Sequence, residues 1–156
     1  MKMLLFVFLI PFQLIAQPFS NSEVASWKKQ AGNITIIRDH YGIPHVYGKT
    51  DADAVFGLLY AQCEDDFRRV EMNYIEKLGR LAEVNGEKDL YNDLLIRLVI
   101  DSADAIKDYN NANDTLKRIL NAFADGINYF LHKNQKIKPI LLNHFEPWYP
   151  LLWTDG

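Results

Sequence analysis

The sequence predicts an α+β fold that is mostly helical, with a short β hairpin near its N-terminus. Two observations carry this expectation. A β-branched run, Ile34-Thr35-Ile36-Ile37, is followed by a turn at Tyr41-Gly42 and a returning stretch, His45-Val46-Tyr47, which is the pattern of a hairpin. Beyond it, apolar residues recur at steps of three and four through three successive segments, the spacing of helices that each turn one face to a core.

The chain begins with MKMLLFVFLIPFQLIA, which joins a basic Lys2, an apolar run from Met3 to Ile10 and a small residue at Ala16. This predicts a secretory signal peptide over residues 1–16, cleaved after Ala16, and hence a secreted or periplasmic protein. A buried N-terminal strand is the alternative. The apolar run is shorter than the roughly 20 residues that span a bilayer, and no cysteine follows it, so no stable membrane anchor is expected. Residues 17–32 read as a polar lead-in with one helical turn around Val24 and Trp27.

After the hairpin, Thr50 stands three residues before Asp53, the spacing of a two-way helix cap. Val55, Leu59, Cys63, Phe67, Val70, Tyr74 and Leu78 then form one long helical face, kinked or straight, ended by Gly79 or Gly86. The opposite face, Glu64, Asp65, Arg68, Glu71 and Glu76, reads as solvated or paired. Residues 87–93 read as a charged connector. Leu94, Leu95, Leu98, Val99, Ser102, Ala103 and Ile106 predict a second helix, ended by the asparagine-rich stretch from Tyr109 to Asn113. Asn113 or Asp114 caps a third, whose face is Leu116, Ile119, Leu120, Phe123, Ile127 and Phe130 or Leu131. These stripes are expected to be core. Phe145, Trp148, Tyr149 and Trp153 crowd the C-terminal end and read as surface packed against a further part of a larger body.

Composition narrows the function. The apolar fraction, 49%, is that of a globular protein, and loss of Lys2 with the leader takes the formal charge from −3 to −4, which gives no electrostatic reason to expect nucleic acid or an anionic membrane as partner. The single cysteine, Cys63, lies on the apolar helix face and reads as a small buried hydrophobe rather than a thiolate nucleophile. His40 and His45 lie near Asp39 without a metal-ligand spacing. Asp39 and Arg38 read as structural partners, with His45 packed behind Pro44. Ser20, Ser22, Ser26 and Ser102 have no nucleophile-elbow context. Glu64-Asp65-Asp66 lacks the alternating acids and glycine of a calcium loop and reads as a helix face.

One set of residues adds more. Arg38-Asp39, Gly42, Pro44-His45, Gly57, Tyr60-Ala61-Gln62 before acidic residues, Glu71-Met72, and Gly79-Arg80-Leu81-Ala82-Glu83-Val84 with Gly86 follow an order and spacing that closely resembles the start of the penicillin acylase family, which includes penicillin, cephalosporin and acyl-homoserine lactone acylases. Leu120 to Asn128, LNAFADGIN, and the passage Phe145-Glu146-Pro147-Trp148-Tyr149-Pro150 resemble later segments of the same family.

The resemblance implies the N-terminal, α-subunit part of an N-terminal-nucleophile hydrolase of αββα architecture. Residues 33–156 would be an α-subunit-like region, incomplete at its C-terminus. Its partner would be a β chain of the same precursor, carrying the nucleophile at its new N-terminus, and the substrate a small N-acyl compound. The resemblance implies no catalytic residue and no metal ligand in this chain, with calcium only in the full enzyme. Arg38, Asp39, Gly42, Pro44, His45, Gly57, Gln62, Gly79 and Arg80 are then motif residues with structural roles. Two other readings stay open: an exported non-enzymatic helical binding module or degenerate acylase fragment, and a small metal-binding protein using His40 and His45.

Overall fold

The computed structural model describes residues 19–152. The signal peptide expected over residues 1–16 and the tail residue Trp153 lie outside them.

The lead-in is a helix, α1 (Asn21–Ala31), and not the single turn expected. A reciprocal cap explains the length: the Glu23 N–H donates to Ser20 Oγ at 3.2 Å, and the Ser20 N–H donates to Glu23 Oε2 at 2.8 Å, so two donors that a helix start leaves orphaned are both met. The helix buries Trp27.

β1 (Ile34–Arg38) and β2 (Pro44–Gly48) pair antiparallel, with Ile34 opposite Gly48 and Arg38 opposite Pro44. The alternation divides the ribbon: Ile34, Ile36 and Val46 turn inward, while Thr35, Ile37, His45 and Tyr47 are exposed. The inward residues lie on α2 (Asp51–Lys77), where Gly57 allows the contact, since a Cβ there would come within 2.7 Å of both Ile34 and Val46 side chains. Thr50 caps α2 by accepting the Asp53 N–H at 3.2 Å, one half of the two-way cap. Asp66 leaves helical geometry and bends α2, and its carboxylate caps the continuing half at the Arg69 N–H, 3.0 Å away. Gly79, at φ +61°, ends the helix.

α3 (Leu81–Asn85) follows, then a 3₁₀ turn (Glu87–Asp89), α4 (Leu90–Val99) and α5 (Ser102–Asn111). The connector expected over residues 87–93 is therefore largely helical, and the expected second helix is two. Ile100 is extended, and Asp101 caps a new start by accepting the Ala103 N–H at 2.8 Å. Nor is its stripe a core: Leu94, Leu95, Leu98 and Val99 are all more than half exposed, and Ile106 is exposed too, with only Ala105 buried on α5.

α6 (Asp114–Lys133), capped by Asn113, runs along α2 and buries Leu120, Ile127, Phe130 and Leu131, although Leu116 in its first turn is exposed. Gly126 lets the two helices cross with almost no gap, because a side chain there would meet the Phe56 backbone. The C-terminal tail corrects another expectation. Phe145, Tyr149 and Leu152 are buried in this chain's own core; Phe145 packs edge-on to Phe67 and Tyr149 stacks on Tyr74. Trp148 is half-buried against Tyr149. Phe145 and Tyr149 thus complete this chain's own core instead of awaiting a cover.

Candidate functional site

Arg38 closes the hairpin onto α2. Its guanidinium donates to the Gly42 carbonyl at 2.9 Å, to the Ala61 carbonyl at 3.4 Å and to Glu64 at 3.1 Å, and it pairs with Asp65 at 2.8 Å. The hydrogen bond it donates to Glu64 raises its pKa further above its already high ordinary value. Its carboxylate partners are thus Glu64 and Asp65, two of the acids expected to be solvated or paired, while Asp39 has other work. Burial tends to raise the Asp39 pKa, but the Ile43 and Tyr41 N–H groups, each at 2.9 Å, together with His45, hold it below the ordinary value. Asp39 thereby shapes the turn in which Gly42 takes φ +83°. His45 approaches Asp39 at 3.4 Å on the exposed face, and His40 stacks on Tyr41 at a ring distance of 3.7 Å. The two histidines do not converge on a common site, and among the described residues no three His, Cys, Asp or Glu side chains are grouped to hold a metal ion.

The second motif cluster is built around Gly79. Arg80 forms a two-pronged pair with Glu83, at 2.6 and 2.7 Å, which raises the Arg80 pKa and lowers that of Glu83. The Gly79 carbonyl accepts from Arg97 Nε at 2.9 Å, and the buried Asp93 carboxylate accepts the Leu81 and Ala82 N–H groups at 2.8 and 2.7 Å. Asp93 therefore caps α3 from another helix. Its sequence neighbours suggested a solvated connector, and nothing in the local pattern marked its role.

Glu71 is the larger surprise relative to a solvated helix face. It is fully buried, and its Oε1 accepts the N–H groups of Ile140, Leu141 and Leu142 at 2.6, 2.9 and 3.1 Å. Oε2 has no hydrogen-bond partner among the described residues, with Arg68 at 3.7 Å, beyond hydrogen-bond range. Asn128 fixes the tail in a similar way: its amide accepts the Phe145 N–H at 2.8 Å and donates to the Phe145 carbonyl at 2.9 Å. Gln62 is exposed and borders a groove beside Asn73 and Lys77.

The nearest approach to a catalytic cluster involves Ser20, Glu23 and His144. The Ser20 hydroxyl donates to Glu23 at 2.6 Å, and His144 stands between Glu23 (3.6 Å) and Glu146 (3.1 Å). No histidine touches the hydroxyl, so no base is placed to activate it. Cys63 is buried, which pushes its thiol pKa up to about 12, and it is no thiolate at neutral pH. A cleft of about 250 Å³ between the hairpin, α2 and α6 is lined by Ile34, Ile36, Phe56, Tyr60 and Tyr129, with Lys133 at its border. No described helix is long and apolar enough to cross a membrane.

The described residues form a mostly helical α+β unit in which one two-stranded hairpin is closed onto the central helix. The structure is similar to that of a thermostable penicillin G acylase from Alcaligenes faecalis, with a TM-score of 0.68 and 19% identity, over 76% of this chain and 68% of that one. A family model described as penicillin amidase matches residues 33–155, and the chain belongs to that family. It is 33% identical over 106 residues to the acyl-homoserine lactone acylase QuiP of Pseudomonas syringae pv. tomato, across 68% of this chain and 13% of that protein. To the penicillin acylase 2 proenzyme of Pseudomonas sp. (strain SE83) it is 28% identical over 120 residues, 75% of this chain and 16% of that protein. To the penicillin G acylase of Escherichia coli it is 31% identical over 107 residues, 68% and 12% respectively. The chain thus spans 12–16% of the length of these relatives.

Proposed function

We propose that this chain is the α-chain portion of a secreted or periplasmic amide-bond hydrolase, which cleaves N-acyl substrates through an acyl-enzyme formed on a nucleophile carried by a β chain of the same precursor. The observation that carries the reading is the family match over residues 33–155, with one of the similar proteins named a proenzyme. In such a hydrolase the nucleophile is the first residue of the β chain and its own α-amine is the base. A free α-amine has a pKa of roughly 7.7–8.0, so at neutral pH it takes up a proton that a lysine would not. Backbone donors aimed at the developing oxyanion lower the barrier to acylation and deacylation.

The role of the present residues is to build a rigid wall. Arg38 and Asp39 hold the hairpin and its turn, Gly42 and Gly79 supply left-handed backbone, Gly57 seats the ribbon, and Arg80 orders the start of α3. Pro44, His45 and Gln62 complete the motif without a reacting partner. The wall would wrap the catalytic chain and help to shape the acyl pocket.

Intact-mass analysis of the protein from its native source under denaturing conditions, with N-terminal sequencing of any co-purifying chain, tests this. A partner several times larger that begins with Ser, Thr or Cys is the expected result. A single species at the mass of Gln17–Gly156 would overturn it.

A further inference from the structure

α4 is a helix turned inside out. Two charged side chains anchor it: the buried Asp93 reaches the Leu81 and Ala82 N–H groups, and Arg97, one turn later and partly in solvent, reaches the Gly79 carbonyl. Those contacts fix the rotation of the helix, and they send its apolar residues outward. Leu90, Tyr91, Leu94, Leu95, Leu98 and Val99 are exposed by 44, 83, 55, 59, 83 and 73%. An amphipathic helix at the edge of a self-sufficient domain does the opposite. Two charged residues hold this orientation, so the leucines are presented and not left over.

The chemistry of the patch narrows its occupant. Six apolar side chains lie together on this face with the exposed Arg97 at their edge, which suits the apolar core and polar rim of a lasting interface. The charged residues around it, Glu87, Lys88, Asp89, Arg97, Asp101 and Asp104, are acidic in excess. Helices that lie on anionic membranes carry lysines and arginines there, so a lipid surface is disfavoured. The relatives supply the remaining argument: the matched region is only 12–16% of their length, so in them most of the polypeptide lies outside it and can cover this face.

We infer that the outer face of α4 is a docking surface for the larger, catalytic chain of this acylase. The inference rests on the two-chain reading above and adds where the chains meet.

Site-directed crosslinking tests it. Cys63 is buried, so Leu95→Cys, made in the full gene expressed in its native host, introduces the one accessible thiol among the described residues of this chain. A benzophenone-bearing residue incorporated at position 95 of the full gene during synthesis, followed by irradiation of the purified protein and peptide mass spectrometry, is expected to join α4 to a larger penicillin amidase-type chain. In parallel, alkylation of the Leu95→Cys thiol in the purified native complex is expected to be at least about tenfold slower than after dissociation in denaturant. Leu98→Lys is expected to weaken recovery of the complex, while Ser26→Cys, on exposed α1, serves as a labelling control. An intact two-chain complex whose introduced thiol reacts as fast as in denaturant would overturn the docking site but leave the two-chain reading standing. A crosslink to a second copy of this chain would overturn it in favour of a dimer face. Failure to recover any larger chain would remove the two-chain reading, and the docking site with it.

Discussion

Glu71 on α2 accepts the backbone N–H of Leu141 at 2.9 Å, and the same oxygen takes the N–H groups on either side. One carboxylate thereby ties the segment after α6 to the central helix, and the aromatic tail beyond it enters the core. Removing the side chain in Glu71→Ala leaves three donors without their acceptor. Each such buried group costs about 1–3 kcal/mol, so the loss is expected to be roughly 3 kcal/mol or more in urea denaturation, with early proteolysis between residues 134 and 152. Glu71→Gln keeps one acceptor oxygen and is expected to lose less. Equal stability of the alanine variant and the native protein would show that the three bonds carry no net weight.

Gly57 is where the hairpin rests on α2. In Gly57→Ala the new methyl would lie 2.7 Å from the Ile34 and Val46 side chains, so the ribbon must lift. A destabilisation of about 1–3 kcal/mol is expected, together with faster amide exchange in β1 and β2 than in α6. Uniform exchange throughout the protein would count against a local seat.

Arg38 bridges four acceptors from a partly exposed position. Arg38→Lys keeps the charge but not the planar fork, and it is expected to cost about 1 kcal/mol once solvent screening of the Glu64 and Asp65 pairs is considered. Because the Gly42 carbonyl bond is also lost, the effect is expected to persist in high salt, where a purely ionic contribution would fade. Thermal melts at two ionic strengths distinguish these outcomes.

Asp125 supplies a pH signature. Burial raises its pKa, against the opposing hydrogen bond from Trp27, so the folded state favours the neutral carboxyl. For a carboxylate shifted upward, stability is greatest below the unfolded pKa and declines as pH climbs through the folded one. Asp125→Asn keeps an oxygen for Trp27 and removes the titration. The variant is expected to melt above the native protein at pH 7 and together with it near pH 3. A variant that is less stable at pH 7 would refute the assignment.

Much of this architecture is legible in the sequence because its signals are local. The Ile34–Ile37 and His45–Tyr47 alternation, the Tyr41-Gly42 turn, the Thr50 and Asn113 caps and the Val55–Leu78 stripe each specify geometry within a few residues, and the structure has all of them. The motif order around Arg38, Gly57 and Gly79 likewise placed the chain in its family. The three-residue step from Ser20 to Glu23 was a cap signal of the same kind, and it marked a full helix where one turn was expected.

What the tertiary structure decided are the matters that depend on partners far along the chain. Spacing shows that α4 has an apolar stripe, but not which way the stripe turns, and that rotation is set by Gly79, Leu81 and Ala82 receiving Asp93 and Arg97. An acid on a helix looks solvated until a backbone segment some 70 residues later arrives to cover it, as Leu141 does for Glu71. Phe145 and Tyr149 look like exposed tail residues until Asn128 draws their segment inward. Periodicity records which residues are apolar and how far apart they stand. The phase of each helix and the fate of each buried charge follow from hydrogen bonds that exist only once the chain has folded back on itself.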